Sequence, residues 1–400
     1  MRIGFVSTRF GGLDGVTLET EKLALILRRA GHEIFWFAGE LGAGIEPGLE
    51  FPRAHFDTPE NRDLERLCFG RVEAPPEVRE QIADRAADIE SALGRFVEEY
   101  AIELLFPQNC LAIPMQIPLG VGLTDFLAST GMAAVAHHHD FAWERKRFSP
   151  TAVPDILHRC FPPNLPEVRH LVINTPARAE LAARRSLPST VLPNIMDFAH
   201  PPDPGDAGLF RRHLEVGPTR LVLLQPTRII PRKGIEHTIE LAARLASRHP
   251  CVAITHPELD EGGRYLEDLR RLAESRQVDL RLAPVGEPGT PALADAYAAA
   301  DLVCYPSRIE GFGNALLEAM YFRRPLMVNR YPVYTADIAP TGVRAVEIDG
   351  EVTSGTLAAV TDLLDDPGLV EEIVEHNYAV GRRHFSFEVA EEILLSLLGS

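Results

Sequence analysis

Two carboxylates in the stretch "SRIEGFGNALLEAM" are the residues best placed to do chemistry. Glu310 precedes a glycine-punctuated turn, and Glu318 lies eight positions after it. The stretch predicts a loop that ends at Asn314, a favourable N-cap, and a helix that begins at Ala315. Glu318 would then lie one turn into the helix, whereas Glu310 stays in the loop. Carboxylates placed in this way suit opposite ends of one ligand better than the acid–base pair of a glycosidase.

The turn between the two glutamates offers hydrogen-bond donors. Free backbone N–H groups of Phe312, Gly313 and Asn314 would lie at the positive end of the helix dipole, a position that suits phosphate or sugar hydroxyls. The alternative is an ordinary strand–loop–helix junction that carries two solvated glutamates.

Arg228 and Lys233 form a second candidate group in the loop of "PTRIIPRKG". This loop follows an apolar strand, and parallel strands place their carboxyl ends at one edge of a sheet. Both cations are therefore expected on the same side of the sheet as Glu310, where they would suit a diphosphate leaving group. A solvated basic loop is the alternative.

The stretch "AVAHHHDFAWERKRF" supplies a third group. Strand alternation predicts that His137 and His139 share one face, next to Asp140. A zinc or iron site is one interpretation, but no second motif with metal-ligand spacing occurs in the chain. A catalytic or substrate-orienting histidine is favoured for that reason.

A local basic cluster follows these histidines in an otherwise acidic chain of net charge −17. It suits an acidic substrate or, equally, a solvated helix face. The overall charge disfavours nonspecific binding to nucleic acid or to an anionic membrane. The cluster contains Arg145, Lys146 and Arg147.

The elements that must position these residues repeat in two halves. "RIGFVST", a loop with Gly11, Gly12 and Gly15, and "TLETEKLALILRRAG" predict a strand, a glycine-rich turn and a helix. The same order restarts at "RLVLLQPTR", after the Pro/Gly-rich segment "HPPDPGDAG". The sequence therefore predicts an α/β protein with two Rossmann-like, doubly wound domains that face each other across a cleft.

Five scattered cysteines without a CxxC pair favour a reducing, cytoplasmic setting over a disulfide framework. The N-terminus lacks the apolar region of a signal peptide, and no run of apolar residues approaches the length of a membrane span. The expected partners are therefore small molecules, without nucleic acid and without stable membrane insertion. Self-association into a homo-oligomer stays open.

Taken together, these stretches resemble the retaining GT-B glycosyltransferases of family 4. "RIEGFGNALLEAM" looks like that family's E-x7-E signature, and "PTRIIPRKG" looks like its arginine–lysine donor loop. "VLPNIMDF" is similar to the stretch at its domain junction, and His139 matches its strand-end histidine. Two departures are Gln225-Pro226-Thr227 ahead of Arg228, where the family usually has glycine, and "NRYPVY" after "PLMV". The resemblance spans nearly the whole chain in the expected order.

The resemblance implies a role for each matching residue. Arg228 and Lys233 would bind the diphosphate of a nucleotide sugar, and Glu318 would accept hydrogen bonds from the ribose. Glu310 and the amides of Phe312, Gly313 and Asn314 would hold the donor sugar, with Gly12 close to the phosphates. The implied catalytic residues are Glu310, His139, Arg228 and Lys233. The implied acceptor residues are His139, Asp140, Arg145 and Arg330.

The predicted function is transfer of a hexose, glucose or mannose, from a UDP- or GDP-linked donor to a small, soluble, anionic acceptor. No metal is expected to be essential, with Mg²⁺ at most stimulatory. The expected domains are an acceptor-binding domain at 1–200, a donor-binding domain at 201–380, and a C-terminal helix at 381–400 that packs on the first domain. The alternatives are a GT-B nucleotide-sugar epimerase, a His/Asp metal-dependent hydrolase and a non-catalytic nucleotide-sugar-binding protein.

Overall fold

The computed structural model describes residues 1–12, 14–256 and 263–399, which form two compact units. Unit 1 comprises residues 1–193 and 390–400, and unit 2 comprises residues 194–389. Each unit is built on a sheet of parallel strands joined by helices, which confirms the predicted α/β class with two doubly wound sheets.

The sheet of unit 1 has the strand order β3-β2-β1-β4-β5-β6-β7. Its central strands read as continuous apolar runs because helices cover both faces of such a sheet. Its strands are β1 (Arg2–Val6), β2 (Glu33–Ala38), β3 (Gly48–Glu50), β4 (Leu104–Pro107), β5 (Ala134–His138), β6 (Val168–Val172) and β7 (Ser189–Val191). Its helices are α1 (Gly15–Arg29), α2 (Pro59–Cys68), α3 (Glu77–Tyr100), α4 (Ile117–Thr130), α5 (Pro154–Cys160) and α6 (Thr175–Arg185).

The sheet of unit 2 has the strand order β10-β9-β8-β11-β12-β13. Its strands are β8 (Val222–Gln225), β9 (Cys251–Ile254), β10 (Asp279–Leu282), β11 (Leu302–Tyr305), β12 (Leu326–Asn329) and β13 (Val346–Ile348). Its helices are α7 (Ala207–His213), α8 (Ile235–Arg244), α9 (Gly263–Ser275), α10 (Leu293–Ala299), α11 (Asn314–Tyr321), α12 (Ser354–Asp365) and α13 (Pro367–His384). The last helix, α14 (Phe387–Leu398), ends in residues that belong to unit 1.

Strand register in unit 1 brings the ends of β1, β4 and β5 together. The N–H of Gln108 donates to the Val6 carbonyl at 2.7 Å, and the N–H of Asn109 donates to the His137 carbonyl at 2.8 Å. The ladder therefore continues two residues beyond β4, and the side chains of Gln108 and Asn109 lie next to the histidine stretch.

The glycine-rich turn after β1 depends on one glycine for steric reasons. A Cβ on Gly11 would lie 2.6 Å from the Cα of Gly42, so the two backbones pack directly against each other. A Cβ on Gly12 would meet nothing within 4 Å. Asp14 then caps α1, because its carboxylate accepts hydrogen bonds from the N–H groups of Val16 and Thr17.

Gln225, the first of the three residues ahead of Arg228 that depart from the family pattern, is a buried structural residue at the end of β8. Its side-chain amide donates to the Thr227 hydroxyl at 2.8 Å, and its carbonyl oxygen accepts from the Thr238 hydroxyl at 2.6 Å. The Gln225 side chain therefore ties the start of the Arg228–Lys233 loop to α8. None of the helices described is both long and apolar enough to cross a membrane.

Candidate functional site

Glu310 is the centre of a charge cluster at the carboxyl edge of the unit 2 sheet. Its carboxylate accepts a hydrogen bond from Lys233 Nζ at 2.5 Å and another from Arg232 Nη1 at 2.8 Å. Lys233 also lies over the ring of Tyr305, with its Nζ 5.4 Å from the centroid. The side chains of Glu310 and Lys233 are 8% and 10% exposed, so this ion pair is held in a mostly water-free environment.

The electrostatics of this cluster favour the ionised pair. Burial by itself raises the pKa of Glu310, but the charges of Lys233 and Arg232 outweigh it and hold that pKa below its usual value. Burial lowers the pKa of Lys233, while Glu310 opposes the change. Two cations around one carboxylate leave the cluster with an excess positive charge, which suits an anionic ligand.

Arg228 lies in the same loop, one turn before Lys233. Its side chain is exposed, and no carboxylate in the described part of the chain pairs with it. Its charge contributes to the lowering of the Lys233 pKa. The guanidinium is therefore available to a ligand, as a residue that binds a diphosphate must be.

The helix after the glycine turn begins one residue earlier than predicted. Asn314 is the first residue of α11, and Gly313 is the N-cap; the prediction of Asn314 as the N-cap was wrong. Gly313 has φ 132°, and a Cβ at this position would lie 2.5 Å from the Tyr331 hydroxyl oxygen. Only glycine fits there, so the backbone itself rather than a capping side chain closes the turn.

The side chain of Asn314 is used inside unit 2 instead of at the cap. Its Oδ1 accepts a hydrogen bond from Asn194 Nδ2 at 2.5 Å. The Tyr331 hydroxyl donates to the Phe312 carbonyl at 2.6 Å. No hydrogen bond within the described residues uses the N–H groups of Phe312, Gly313 or Asn314, which therefore stay free for a ligand.

Glu318 lies on α11, one turn beyond these amides, and is partly buried. The Tyr297 hydroxyl, from α10, donates to Glu318 Oε2 at 2.7 Å. Burial and the Glu318 charge raise the pKa of Tyr297 well above its usual value, so the tyrosine remains a donor and the glutamate an acceptor. This bond fixes one carboxylate oxygen of Glu318.

In unit 1, the predicted histidine face forms at the end of β5. The rings of His137 and His139 have centroids 4.4 Å apart. His137 Nδ1 lies 3.0 Å from Gln108 Oε1, and the Nε2 atoms of both histidines are buried without a partner among the described residues. Burial lowers the pKa of both imidazoles, so they are neutral near pH 7. Neutral rings can accept hydrogen bonds from sugar hydroxyls.

The cations predicted to bind an acceptor are paired with acids in the structure. Arg145 bonds Asp140, whereas Arg330 approaches Glu347 at 3.7 Å in unit 2. Arg147 approaches Glu65 at 3.6 Å. Each of these arginines would have to share or exchange its partner to bind an anionic acceptor.

The described residues place no three His, Cys, Asp or Glu side chains where they could hold a metal ion. His137 instead faces Gln108, and Asp140 accepts hydrogen bonds from Asn109 and Arg145. One ring nitrogen of His137 and both carboxylate oxygens of Asp140 are thus bonded to other partners.

Comparison with known proteins identifies the family. Residues 208–380 match the model described as "Glycosyl transferases group 1". Over 98% of this chain and 99% of the relative, the sequence is 33% identical to mannosylglucosylglycerate synthase of Thermotoga maritima. The chain belongs to the group 1 glycosyl transferases. A second mannosylglucosylglycerate synthase, from Petrotoga mobilis, is 30% identical over 87% of this chain and 86% of its own length.

Solved structures agree with this glycosyltransferase in fold. Anabaena Alr3699/HepE in complex with UDP matches with a TM-score of 0.70 at 17% identity, and covers 100% of both chains. The sucrose-phosphate synthase of Thermosynechococcus elongatus matches with a TM-score of 0.69 at 13% identity, over 99% of this chain and 98% of that one. These matches confirm the GT-B fold, and the family confirms an enzyme that uses a nucleotide sugar.

The sequence did not point to several residues that shape the candidate site. Arg232 is adjacent to Lys233 in the sequence, and the run of two cations was a usable signal. Tyr297 and Tyr331 come from other elements, and nothing in their local sequence marks them. Asn109 was missed as well, although an asparagine directly after the strand-ending Gln108 is a residue type that favours a turn.

Proposed function

We propose that this glycosyltransferase moves a hexose from a nucleoside diphosphate sugar to a hydroxyl of a small glycerate-type acceptor and retains the α configuration. The Glu310–Lys233–Arg232 cluster, with exposed Arg228 in the same loop and free amides at the start of α11, carries the proposal. This arrangement suits a diphosphate whose negative charge grows as the sugar bond breaks. The names of both mannosylglucosylglycerate synthases support the acceptor class.

Each residue has a proposed role on the donor side. Arg228 and Lys233 bind the diphosphate and stabilise the leaving group. Glu310, held by Lys233, and the amides of Phe312, Gly313 and Asn314 bind the hydroxyls of the transferred sugar. Glu318, whose carboxylate also accepts from the Tyr297 hydroxyl, accepts hydrogen bonds from the ribose. The backbone near Gly12 approaches the phosphates without steric hindrance from a side chain.

Unit 1 supplies the proposed acceptor-side residues. His139 accepts a hydrogen bond from a sugar hydroxyl, and Asp140 with Arg145 contacts the acceptor; Arg330 of unit 2 is proposed to assist. As the resemblance to family 4 implies, the departing phosphate takes the acceptor proton on the face from which it leaves. The reaction needs no essential metal in this proposal, with Mg²⁺ at most stimulatory.

The test is a matrix of donors and acceptors analysed by mass spectrometry. UDP- and GDP-linked glucose and mannose are each combined with glycerate, glucosylglycerate or uncharged glycerol. We expect one donor to give a product heavier by one hexose with a glycerate-type acceptor, and glycerol to react poorly. Lys233→Gln is the inactive control.

Other outcomes would contradict the proposal. Consumption of a nucleotide sugar without any acceptor would indicate the epimerase alternative. Binding of a nucleotide sugar, detected by thermal shift, without turnover on any acceptor would indicate a non-catalytic binding protein.

A further inference from the structure

Asn109 has a backbone conformation that is uncommon for residues other than glycine. Its φ is 59°, in the left-handed region, and its side chain is buried. Asparagine is one of the few residue types that tolerate this region, and conformations of this kind often occur at functional sites. The residue lies two positions after β4 and directly faces the end of β5.

The backbone N–H and the side chain of Asn109 make hydrogen bonds to one short segment, whereas its carbonyl accepts from the N–H groups of Ala112 and Ile113. Its N–H donates to the His137 carbonyl at 2.8 Å, and its Oδ1 accepts from the His139 N–H at 2.9 Å. Its Nδ2 donates to Asp140 Oδ1 at 2.8 Å. The left-handed backbone thus turns the side chain so that it binds the "HHHD" segment through both of its polar atoms.

The contacts require an amide at this position. The side chain must accept a hydrogen bond from the backbone of His139 and donate one to the carboxylate of Asp140. A carboxylate can only accept, and an apolar side chain does neither. Arg145 holds the other oxygen of Asp140, so the carboxylate is fixed from both sides.

We propose that Asn109 is a positioning residue for sugar transfer, which sets His139 and Asp140 relative to the bound sugars through its side-chain amide. The inference rests on the proposed function, because it assigns the substrate contacts to His139 and Asp140. Gln108 supports the same segment one residue earlier, since its side chain meets His137 Nδ1 and the Thr20 hydroxyl.

The decisive variant is Asn109→Asp, which keeps the shape of the side chain and places a second carboxylate beside Asp140. Two carboxylates at hydrogen-bond distance do not both ionise readily, so the pair should take up a proton as the pH falls. That proton restores the lost donor. The other titratable or charged side chains around this segment, among the described residues, are His137, His138, His139, Glu144 and Arg145. From neighbouring elements, His170 acts on His138, Glu180 acts on Glu144, and Asp14, the cap of α1, and Glu19 act on His139.

The experiment compares kcat/KM of the variant with that of the unchanged enzyme from pH 5.5 to 8.5. We expect kcat/KM of the variant to be about 100-fold below that of the unchanged enzyme at pH 8.5, which is typical of a misplaced reacting group. At pH 5.5 the difference should shrink to about tenfold or less. A ratio that does not change with pH, or activity equal to the unchanged enzyme, would overturn the positioning role. Absence of transfer by the unchanged enzyme would overturn the proposed function itself.

Two control variants separate positioning from stability. Asn109→Gly retains the left-handed backbone and should lose activity equally at every pH. Asn61→Asp alters another buried asparagine of unit 1, whose amide donates to the carbonyls of Phe56 and Met115 rather than to a carboxylate. This variant should have a lower melting temperature. The ratio of its kcat/KM to that of the unchanged enzyme should not depend on pH.

The reciprocal double variant, Asn109→Asp with Asp140→Asn, keeps the test decisive if the single variant does not fold. It exchanges the two partners and restores one donor and one acceptor. We expect its melting temperature to exceed that of Asn109→Asp at pH 8.5. Equal or lower stability of the double variant would contradict the pairing on which the inference depends.

Discussion

The candidate sites of unit 1 and unit 2 differ in the charge of their buried side chains. In unit 2, Glu310 is ionised and buried against two cations. In unit 1, burial keeps the imidazoles of His137, His138 and His139 neutral, and the amides of Gln108 and Asn109 bond the His137 ring and the His139 N–H. Under the proposed function the two units have different tasks: unit 2 would stabilise a developing negative charge, and unit 1 would orient uncharged hydroxyls.

The largest expected effect comes from removing one cation of the unit 2 site. Lys233→Gln should lower kcat by about 100- to 1,000-fold, because it removes a cation from the proposed leaving group. It should also destabilise the fold by roughly 3–5 kcal/mol, since Glu310 is left buried without its closest partner. Steady-state kinetics and urea unfolding measure the two losses.

A matched double variant separates the two losses caused by Lys233→Gln. Adding Glu310→Gln removes the unpaired charge, so stability should return in part while activity stays low. Recovery of activity together with stability would contradict a direct role for Lys233.

The second prediction tests the preference of unit 1 for uncharged groups. Burial, together with the nearby Asp140, raises the pKa of Glu144 from 4.5 to about 7. Between these two pH values the folded protein holds a proton that the unfolded chain has released, so the free energy of unfolding should fall as the pH rises. Because the Glu144 side chain is exposed, solvent screens much of this effect, and the loss should be about 1 kcal/mol.

Urea unfolding of Glu144→Gln from pH 4.5 to 8 is the matching measurement. The variant should lack this part of the pH dependence and be more stable than the unchanged protein at pH 8. An unchanged slope between pH 4.5 and 7 would show that Glu144 is not the group responsible.

The third prediction concerns the backbone amides of unit 2. Gly313→Ala should destabilise the fold by roughly 1–3 kcal/mol and raise the KM of the donor, because the residue must hold φ 132° and its Cβ meets the Tyr331 hydroxyl. Adding Tyr331→Phe removes the clash but not the backbone strain, so stability should recover only in part. Full recovery would mean that the strain costs little.

The smallest expected effect compares the two exposed arginines. Arg145→Glu in unit 1 and Arg330→Glu in unit 2 should each change stability by less than about 1 kcal/mol, since exposed ion pairs contribute little. If either binds an anionic acceptor, its reversal should raise the KM for that acceptor by about fivefold or more, which corresponds to roughly 1 kcal/mol. An unchanged KM would remove that residue from the acceptor site; glycerol serves as the uncharged control.

The charged site of unit 2 was easier to predict from the sequence than the neutral site of unit 1. Glu310 and Lys233 lie in stretches with specific spacing, and the alternation of strands and helices predicted both parallel sheets. The exact start of α11 was not predictable from Asn314, because the decisive contact is between Gly313 and Tyr331, residues from different elements. Asn109 and Tyr297 also act through tertiary contacts, and their local sequence resembles that of ordinary turn and core residues.

The Tyr331 hydroxyl has a consequence for how this sequence can change over evolutionary time. It occupies the space that a side chain at position 313 would need, and it also donates to the Phe312 carbonyl. A tyrosine at position 331 therefore requires a residue without a side chain at position 313. Related chains with a small residue at position 331 should lose less stability when position 313 is not glycine, although φ 132° still favours glycine there, whereas chains that keep the tyrosine should keep the glycine.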